Sequence, residues 1–135
     1  MLEQWEADAL LRMPKVYSDS LRVDLRPGVH EEYPVESDDE NEHFLLDIRV
    51  PKRSPNIRLQ LRYRRIIVLS RLCTAVSHQN PDFELLDPPH LHRYREPDHD
   101  KWARQIDPFS SAIEALAFFC KVINLPEPEI QEGLS

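Results

Sequence analysis

The sequence is poor in glycine, and this scarcity excludes the common nucleotide-binding loops. Only Gly28 and Gly133 occur in 135 residues. A loop that cradles phosphate with its backbone needs several glycines, because only then can the main chain approach the anion closely. Neither a Walker A loop nor a dinucleotide-binding fingerprint fits this chain.

Cysteines and long apolar runs are also scarce. Cys73 and Cys120 stand far apart and form no CxxC pair, which predicts two reduced core thiols rather than a disulfide framework or a thiolate zinc site. The longest apolar run, residues 115–120, is far too short to cross a bilayer. The first residues lack the basic and apolar regions of a signal peptide. We therefore expect a cytoplasmic protein with no membrane partner.

Charge is distributed unevenly along what we predict to be a single domain, residues 1–135. The formal net charge is -7, yet residues 28–47 contain eight acidic residues and no Lys or Arg, whereas residues 48–81 contain eight basic residues and no Asp or Glu. Arginine forks suit phosphates, so the basic segment could hold an RNA backbone. Alternatively, the acidic segment pairs with the basic one, or both are simply solvated.

Hydrophobic periodicity predicts an α+β fold built around an antiparallel sheet. Apolar residues spaced by three and four predict a short helix in residues 1–14, which Pro14 ends. Alternation with a period of two, clearest from Ile57 to Arg64, predicts a meander of five to six strands within residues 20–106.

The C-terminal part predicts a second helix. Ser111 and Glu114 have the spacing of a capping box and open a helix over residues 110–124 that is apolar on most sides. Such a helix is expected to be buried, either packed on one face of the sheet or in a homodimer contact. Residues 126–135 are expected to form a poorly ordered tail.

The sharpest local pattern is rich in histidine and runs from His78 to Trp102. If residues 91–96 form a strand, His90, His92, Tyr94 and Glu96 point to one face. Two imidazoles about 7 Å apart can act as base and acid on one phosphate, because their ordinary pKa values lie near neutrality. This hypothesis requires neither a metal nor a cofactor, and would suit 2′-hydroxyl attack in RNA cleavage.

The hypothesis assigns three groups of residues by role. The catalytic group is His90, His92 and Tyr94. The phosphate-binding group is Arg62, Arg64, Arg93 and Lys101. The loop-shaping group is His78, Asn80, Asp82, Glu96 and Trp102.

Two other interpretations of the same histidines stay open. His90 and His92 could bind a metal together with His78 or Asp87, because His-x-His is common in such sites. They could instead hydrogen bond to loop backbone and hold the long loop between Thr74 and Pro89 in place.

Several short motifs together resemble an uncharacterised family of small bacterial and phage proteins. They comprise Phe-Leu-Leu-Asp-Ile, Gln-Leu-Arg-Tyr-Arg, His-x-Asn-Pro-Asp, Pro-His-Leu-His-x-Tyr-x-Glu and Asp-Lys-Trp-Ala, at residues 44–48, 60–64, 78–82, 89–96 and 100–103. Phe83 and Pro97 stand where that family usually has glycine. The layout of a histidine pair on a strand before a C-terminal helix is also similar, as an analogy, to small ribonuclease toxins of toxin–antitoxin pairs.

These observations lead to two main functional hypotheses. The first is an RNA-directed, toxin-type endoribonuclease from a mobile or defence locus, which would need no metal. The second is a non-catalytic interaction module, in which the C-terminal helix and the acidic segment dock a cognate, antitoxin-like protein and the histidine loop is structural.

Overall fold

The computed structural model describes residues 2–19, 22–52 and 56–131, and in them two helices and a large sheet confirm the predicted α+β class. Helix α1 spans Gln4–Arg12 and helix α2 spans Ala112–Ile123. The strands are β1 Lys15–Tyr17, β2 Arg22–Asp24, β3 His30–Ser37, β4 His43–Arg49, β5 Arg58–Tyr63, β6 Ile67–Cys73, β7 His78–Gln79, β8 Leu85–Leu86, β9 His90–Arg93, β10 Ala103–Gln105 and β11 Glu129–Gln131.

The main sheet has seven strands in the order β1-β3-β4-β5-β6-β9-β10, and all its neighbours are antiparallel. The prediction of five to six strands was too low, because the sequence of β3 is strongly acidic and favoured a loop. β7 pairs with β8 in a separate two-stranded sheet that lies within the predicted long loop.

The remaining small sheet corrects the prediction for the C-terminal tail. β11 pairs in parallel with β2, so residues 129–131 are an ordered strand. Residues 132–135 of the predicted tail lie outside the described residues, as do residues 20 and 21 at the start of the predicted sheet region.

Strand alternation gives the main sheet one apolar face and one polar face. Leu46 and Ile48 of β4 and Leu59 and Leu61 of β5 are fully buried and belong to the same hydrophobic cluster as helix α2. Burying each such side chain contributes about 1.5–3 kcal/mol. The residues between them, Asp47 and Gln60, are polar and project from the opposite face.

Helix α2 begins and ends at recognisable caps. The Ser111 side chain accepts a hydrogen bond from the Glu114 backbone N–H at 3.1 Å, and Asn124 ends the helix in the left-handed conformation. The helix buries Leu116, Phe119 and Ile123 in the core. Dimerisation through this helix stays a prediction.

Neither helix in the described part of the chain has the length and apolar content needed to cross a bilayer. Helix α1 has nine residues and α2 has twelve, whereas a crossing takes about 20.

A buried lysine ties the two helices to the first strand. The Lys15 ammonium donates hydrogen bonds to the carbonyls of Leu11 (2.9 Å) and Met13 (2.9 Å) at the end of α1, and of Ile123 (2.7 Å) at the end of α2. A cation suits these positions, because the last carbonyls of a helix have no partner within it and carry partial negative charge.

We predict that Lys15→Met destabilises the protein by about 2–4 kcal/mol, because three carbonyls at helix ends lose their shared donor in a buried setting. Urea unfolding followed by circular dichroism measures this difference. Lys121→Met, on the exposed side of α2, is the matched control and should change the free energy of unfolding by about 0.5 kcal/mol or less. Equal stability of the two variants would contradict the role of Lys15.

Candidate functional site

The polar face of the sheet carries two rows of side chains that run across neighbouring strands. Cross-strand pairing aligns one row of His30, Arg49, Arg58, Cys73 and His90. The next row contains Glu32, Asp47, Gln60, Arg71 and His92. Paired residues in a sheet project to the same side, so each row converges on one histidine of β9.

These rows form the floor of a pocket of about 350 Å³. The segment Val76–His78, which leads into the β7–β8 hairpin, forms a wall beside β9. Arg49, Arg58 and Arg71 line this pocket together with His78, His90 and His92.

Three histidine rings lie in contact in this pocket and are named here the histidine cluster: His78, His90 and His92. Ring centroids are 4.4 Å apart for His78 and His92, 4.9 Å for His90 and His92, and 5.3 Å for His78 and His90. His90 and His92 are buried, and His78 is partly exposed. Each ring offers one nitrogen such that all three nitrogens lie within 4.8 Å of one another.

Backbone carbonyls fix the tautomers of two of these rings. His78 Nε2 donates to the Lys101 carbonyl at 2.7 Å, and His92 Nδ1 donates to the Asp100 carbonyl at 2.6 Å. A carbonyl can only accept, so those nitrogens carry the protons of the neutral rings. The remaining lone pairs are on His78 Nδ1 and His92 Nε2. The third ring differs, because His90 Nδ1 is buried and has no hydrogen-bond partner among the described residues.

Burial keeps the two inner imidazoles uncharged at neutral pH. It lowers the pKa of His90 to about 4, with smaller contributions from His78 and Arg71. It lowers the pKa of His92 to about 3, aided by Arg71 and opposed by the hydrogen bond to Asp100. Both rings are therefore neutral and offer a lone pair to a metal at pH 7, but they are weaker proton acceptors than an ordinary histidine, and neither is an imidazolium ready to donate a proton.

The arginines on this face divide into paired and unpaired ones. Arg62 forms ion pairs with Glu32 of β3 and with Asp47 at 3.3 Å. Arg71 contacts the Asp100 carboxylate at 3.4 Å and lies 3.3 Å from each ring nitrogen of His92. Arg49 and Arg58 stand directly opposite each other and form no ion pair within the residues that the structure describes. Like charges in this arrangement repel, so the pair is unfavourable without a bound anion.

Five side chains that the sequence assigned to catalysis or phosphate binding do not line this pocket. Arg62 is one of them, because its ion pairs hold it towards Glu32 and Asp47. β9 ends at Arg93, and Tyr94 turns into the core, where its hydroxyl donates to the Leu2 carbonyl at 2.5 Å. Arg93 binds Asp8 of α1 at 3.2 Å. Arg64 stacks on the Tyr63 ring in the turn after β5, 4.9 Å from its centroid. Lys101 contributes its carbonyl to His78, and its side chain is exposed.

Two of the predicted loop-shaping residues organise the β7–β8 hairpin. The Asn80 side chain donates to the Ala103 carbonyl and accepts from the Ala103 N–H, both at 2.9 Å, which ties the hairpin to edge strand β10. Asp82 accepts from the Glu84 N–H at 3.1 Å. Phe83, which lies between Asp82 and Glu84, has a φ of 71°, a left-handed conformation that favours glycine.

Glu96 and Trp102, which were also predicted to shape the loop, lie in the segment that follows β9. The Glu96 N–H donates to the Gln4 side chain at 2.9 Å. Trp102 donates to Asp98 at 2.7 Å, and the Arg95 guanidinium stacks on its ring at 3.9 Å from the centroid.

The pocket also contains residues that the sequence hypothesis left out of its site. Arg49, Arg58 and Arg71 occupy alternate positions on the strand faces that carry Asp47 and Gln60, and this period-two pattern was the available signal. His78 belongs to the histidine cluster itself rather than only to the loop. No local pattern in the sequence reveals that β7 brings it next to β9.

The geometry thus defines an α+β protein with a three-histidine, arginine-lined pocket on the open face of its sheet. Residues 2–125 match DUF6978, a family of unknown function, and the chain belongs to that family. This agrees with the resemblance to an uncharacterised family. Searches of curated proteins and of solved structures found no match.

We predict that the histidine cluster makes the protein sensitive to acid. The folded-state pKa values lie below 6.5, so the unfolded chain binds more protons as the pH falls through 6.5 towards about 4. The free energy of unfolding should therefore fall by roughly 2–4 kcal/mol between pH 7 and pH 4.5 in metal-free buffer. Urea unfolding at a series of pH values measures this slope.

His90→Leu is the informative variant for this prediction, because the buried Nδ1 it removes has no hydrogen-bond partner among the described residues and leucine is of similar size. It should reduce the slope by about half. His43→Leu, an exposed histidine on β4, should leave the slope unchanged. An identical slope in wild type and His90→Leu would refute the prediction.

Proposed function

We propose that this protein binds RNA at the pocket and cleaves its phosphodiester backbone, as a toxin-type endoribonuclease. The observation that carries the proposal is that Arg49 and Arg58, which form no ion pair among the described residues, line the same pocket as Arg71 and the histidine cluster. Guanidinium groups bind phosphate oxygens in a bidentate manner, and a polymer with one phosphate per nucleotide can engage several of them. The open face of the sheet offers room for an extended strand.

In the proposed chemistry, the arginines and the histidines of the pocket have different roles. Arg49, Arg58 and Arg71 hold a phosphate and offset its negative charge. The histidine cluster supplies the proton acceptor that removes the proton of a ribose 2′-hydroxyl. The 2′-oxygen then forms a bond to phosphorus while the bond to the 5′-oxygen breaks, and water supplies the proton for the leaving oxygen.

We predict that the double variant Arg49→Gln/Arg58→Gln binds a labelled single-stranded RNA at least about tenfold more weakly than wild type. Its plot of log affinity against log salt should also lose about 1.4 units of slope, because two phosphate contacts disappear. Fluorescence anisotropy at several salt concentrations measures both quantities. The control Arg104→Gln/Lys121→Gln removes two charges away from the polar face and should bind like wild type.

The same RNA, resolved on a denaturing gel, reports cleavage. His92→Ala is expected to bind RNA but leave it intact, whereas His43→Ala cleaves like wild type. Intact RNA with the wild-type protein, together with unchanged growth and unchanged RNA ends after induction in cells, would reject the endoribonuclease. Equal RNA affinity of both double variants would reject the binding site.

A second candidate, a protein-interaction module, is favoured by an exposed apolar patch near the mouth of the pocket. Phe83 and Leu85 of the β7–β8 hairpin are 79% and 73% exposed, and Val76, which precedes the hairpin and lines the pocket, is 48% exposed. Large apolar side chains grouped in this way are typical of surfaces that a partner covers. A cognate, antitoxin-like protein seated there would also close the pocket.

For this candidate we predict that Phe83→Ser/Leu85→Ser abolishes co-purification of the product of a neighbouring gene when the two are co-expressed. Loss of a buried aromatic anchor typically costs 2 kcal/mol or more in affinity. Ile66→Ser, which removes an equally exposed apolar side chain from the β5–β6 turn, is the control and should retain the partner. Retention by both variants would count against the patch.

A further inference from the structure

We infer that the histidine cluster is a binding site for a divalent transition metal of the zinc class, with one coordination position open to an anionic ligand. The sequence hypothesis required no metal; the geometry of the three rings points to one. The inference shares its pocket with the proposed function but does not depend on the nature of the substrate. A bound metal would occupy the imidazole lone pairs, so the proton acceptor for RNA cleavage would then be the ligand at the open position instead of a histidine.

The first argument is the convergence of three neutral imidazoles. Two come from alternate positions of one strand, and the third comes from the β7–β8 hairpin, with all three ligand nitrogens within 4.8 Å. Tetrahedral zinc with Zn–N bonds of about 2.0–2.1 Å holds its nitrogens about 3.4 Å apart. A small inward movement of His78, which lies on a two-residue strand outside the main sheet, would supply the closer spacing.

The second argument is the set of hydrogen bonds behind the rings. Histidines that bind metals usually donate their other ring N–H to a carbonyl or carboxylate, which fixes the tautomer and the ring orientation. His78 and His92 both do this, to the carbonyls of Lys101 and Asp100. These bonds leave lone pairs on His78 Nδ1 and His92 Nε2, and a metal at His92 would displace the Arg71 guanidinium that contacts Nε2 at 3.3 Å.

The third argument is His90, whose ring is 2% exposed and whose Nδ1 has no hydrogen-bond partner among the described residues. Leaving a buried polar atom unpaired costs about 1–3 kcal/mol. Such a cost is commonly found where the atom has a functional partner. A metal ion within the cluster is a partner that also suits the other two rings.

The surroundings indicate the metal class and the open position. Imidazole ligands suit zinc, copper, iron and nickel, whereas magnesium and calcium prefer oxygen. Three protein ligands plus one exchangeable position is the arrangement of catalytic rather than structural zinc. Arg71 beside His92 disfavours a bare cation, but Arg58 and Arg49 in the same pocket favour an anion as the fourth ligand.

Zinc titration of the full-length, chelator-treated protein tests the site in the absence of RNA. Isothermal titration calorimetry should give one ion per chain, and Co²⁺ should give the visible absorption of a tetrahedral complex. The variants His78→Ala, His90→Ala and His92→Ala should each bind zinc at least roughly 10–100-fold more weakly than wild type. Loss of a group that merely hydrogen bonds to a metal ligand typically has an effect of this size. His43→Ala should bind like wild type.

Circular dichroism establishes that each variant is folded, and thermal unfolding gives a second readout. Zinc should raise the Tm of wild type and of His43→Ala, and it should not raise the Tm of the cluster variants. Folded wild-type protein that binds no zinc would overturn the inference, and so would binding that the three cluster substitutions leave unchanged.

These outcomes are separable from those of the RNA experiment, in which the arginine variants are compared in the presence of chelator. Zinc binding without RNA binding leaves the metal site standing and removes the proposed function. RNA binding without zinc binding supports the proposed binding of RNA and overturns the metal site.

Discussion

The candidate site depends on the pairing of β6 with β9. This register sets Arg71 beside His92 and Cys73 beside His90, and it sets Leu72 beside Leu91 on the opposite face. A slip of one residue would turn both imidazoles towards the helices and bring Leu91 into the pocket. The burial energy of the hydrophobic core therefore enforces the orientation of the histidines, so the chemistry of the site is held by the main sheet rather than by loops.

The third histidine is held by a different kind of structure. His78 lies on the short β7–β8 hairpin, and the amide clamp between Asn80 and Ala103 fastens this hairpin to β10. The hydrogen bond from His78 to Lys101 adds a second tie to the same segment. His90 and His92 are held by the main sheet, whereas His78 lies on a hairpin that is fastened at its base. When a ligand binds, the change in ring positions can therefore be confined to the hairpin.

Much of the fold and part of the site could be predicted from local patterns. Period-two alternation identified the strand faces, and the capping box located helix α2, because both signals arise from residues close in sequence. The shared face of His90 and His92 follows from the same alternation. Tyr94 departs from it because the strand ends one residue earlier, where the Tyr94 N–H donates to the Leu69 carbonyl and the ring joins the core.

Contacts between residues far apart in sequence determine which other residues line the site, and local sequence patterns do not predict such contacts. Arg58 and Arg62 are equivalent in sequence, as alternate residues of one strand face. They differ because Glu32 of β3 and Asp47 of β4 reach Arg62, while Arg58 faces Arg49 instead. The prediction that the acidic segment pairs with the basic one is therefore correct for Arg62 and not for its neighbour. His78 joined His90 and His92 only in the metal interpretation of the sequence, and the catalytic hypothesis left it in the loop, because its contact with β9 spans a hairpin.

The distribution of charge on the open face also explains why the pocket can attract an anion in a chain with a net charge of -7. Glu32 and Asp47 offset Arg62, His30 Nε2 donates to Asp47 at 3.1 Å, and Asp100 contacts Arg71. Arg49 and Arg58 form no ion pair among the described residues, and the sign of the local field follows from them rather than from the total charge. Because the inner imidazoles are neutral, they add nothing to that field. The attraction for an anion and the lone pairs that can hold a proton or a metal are thus supplied by separate groups, and either can be removed by substitution without removing the other.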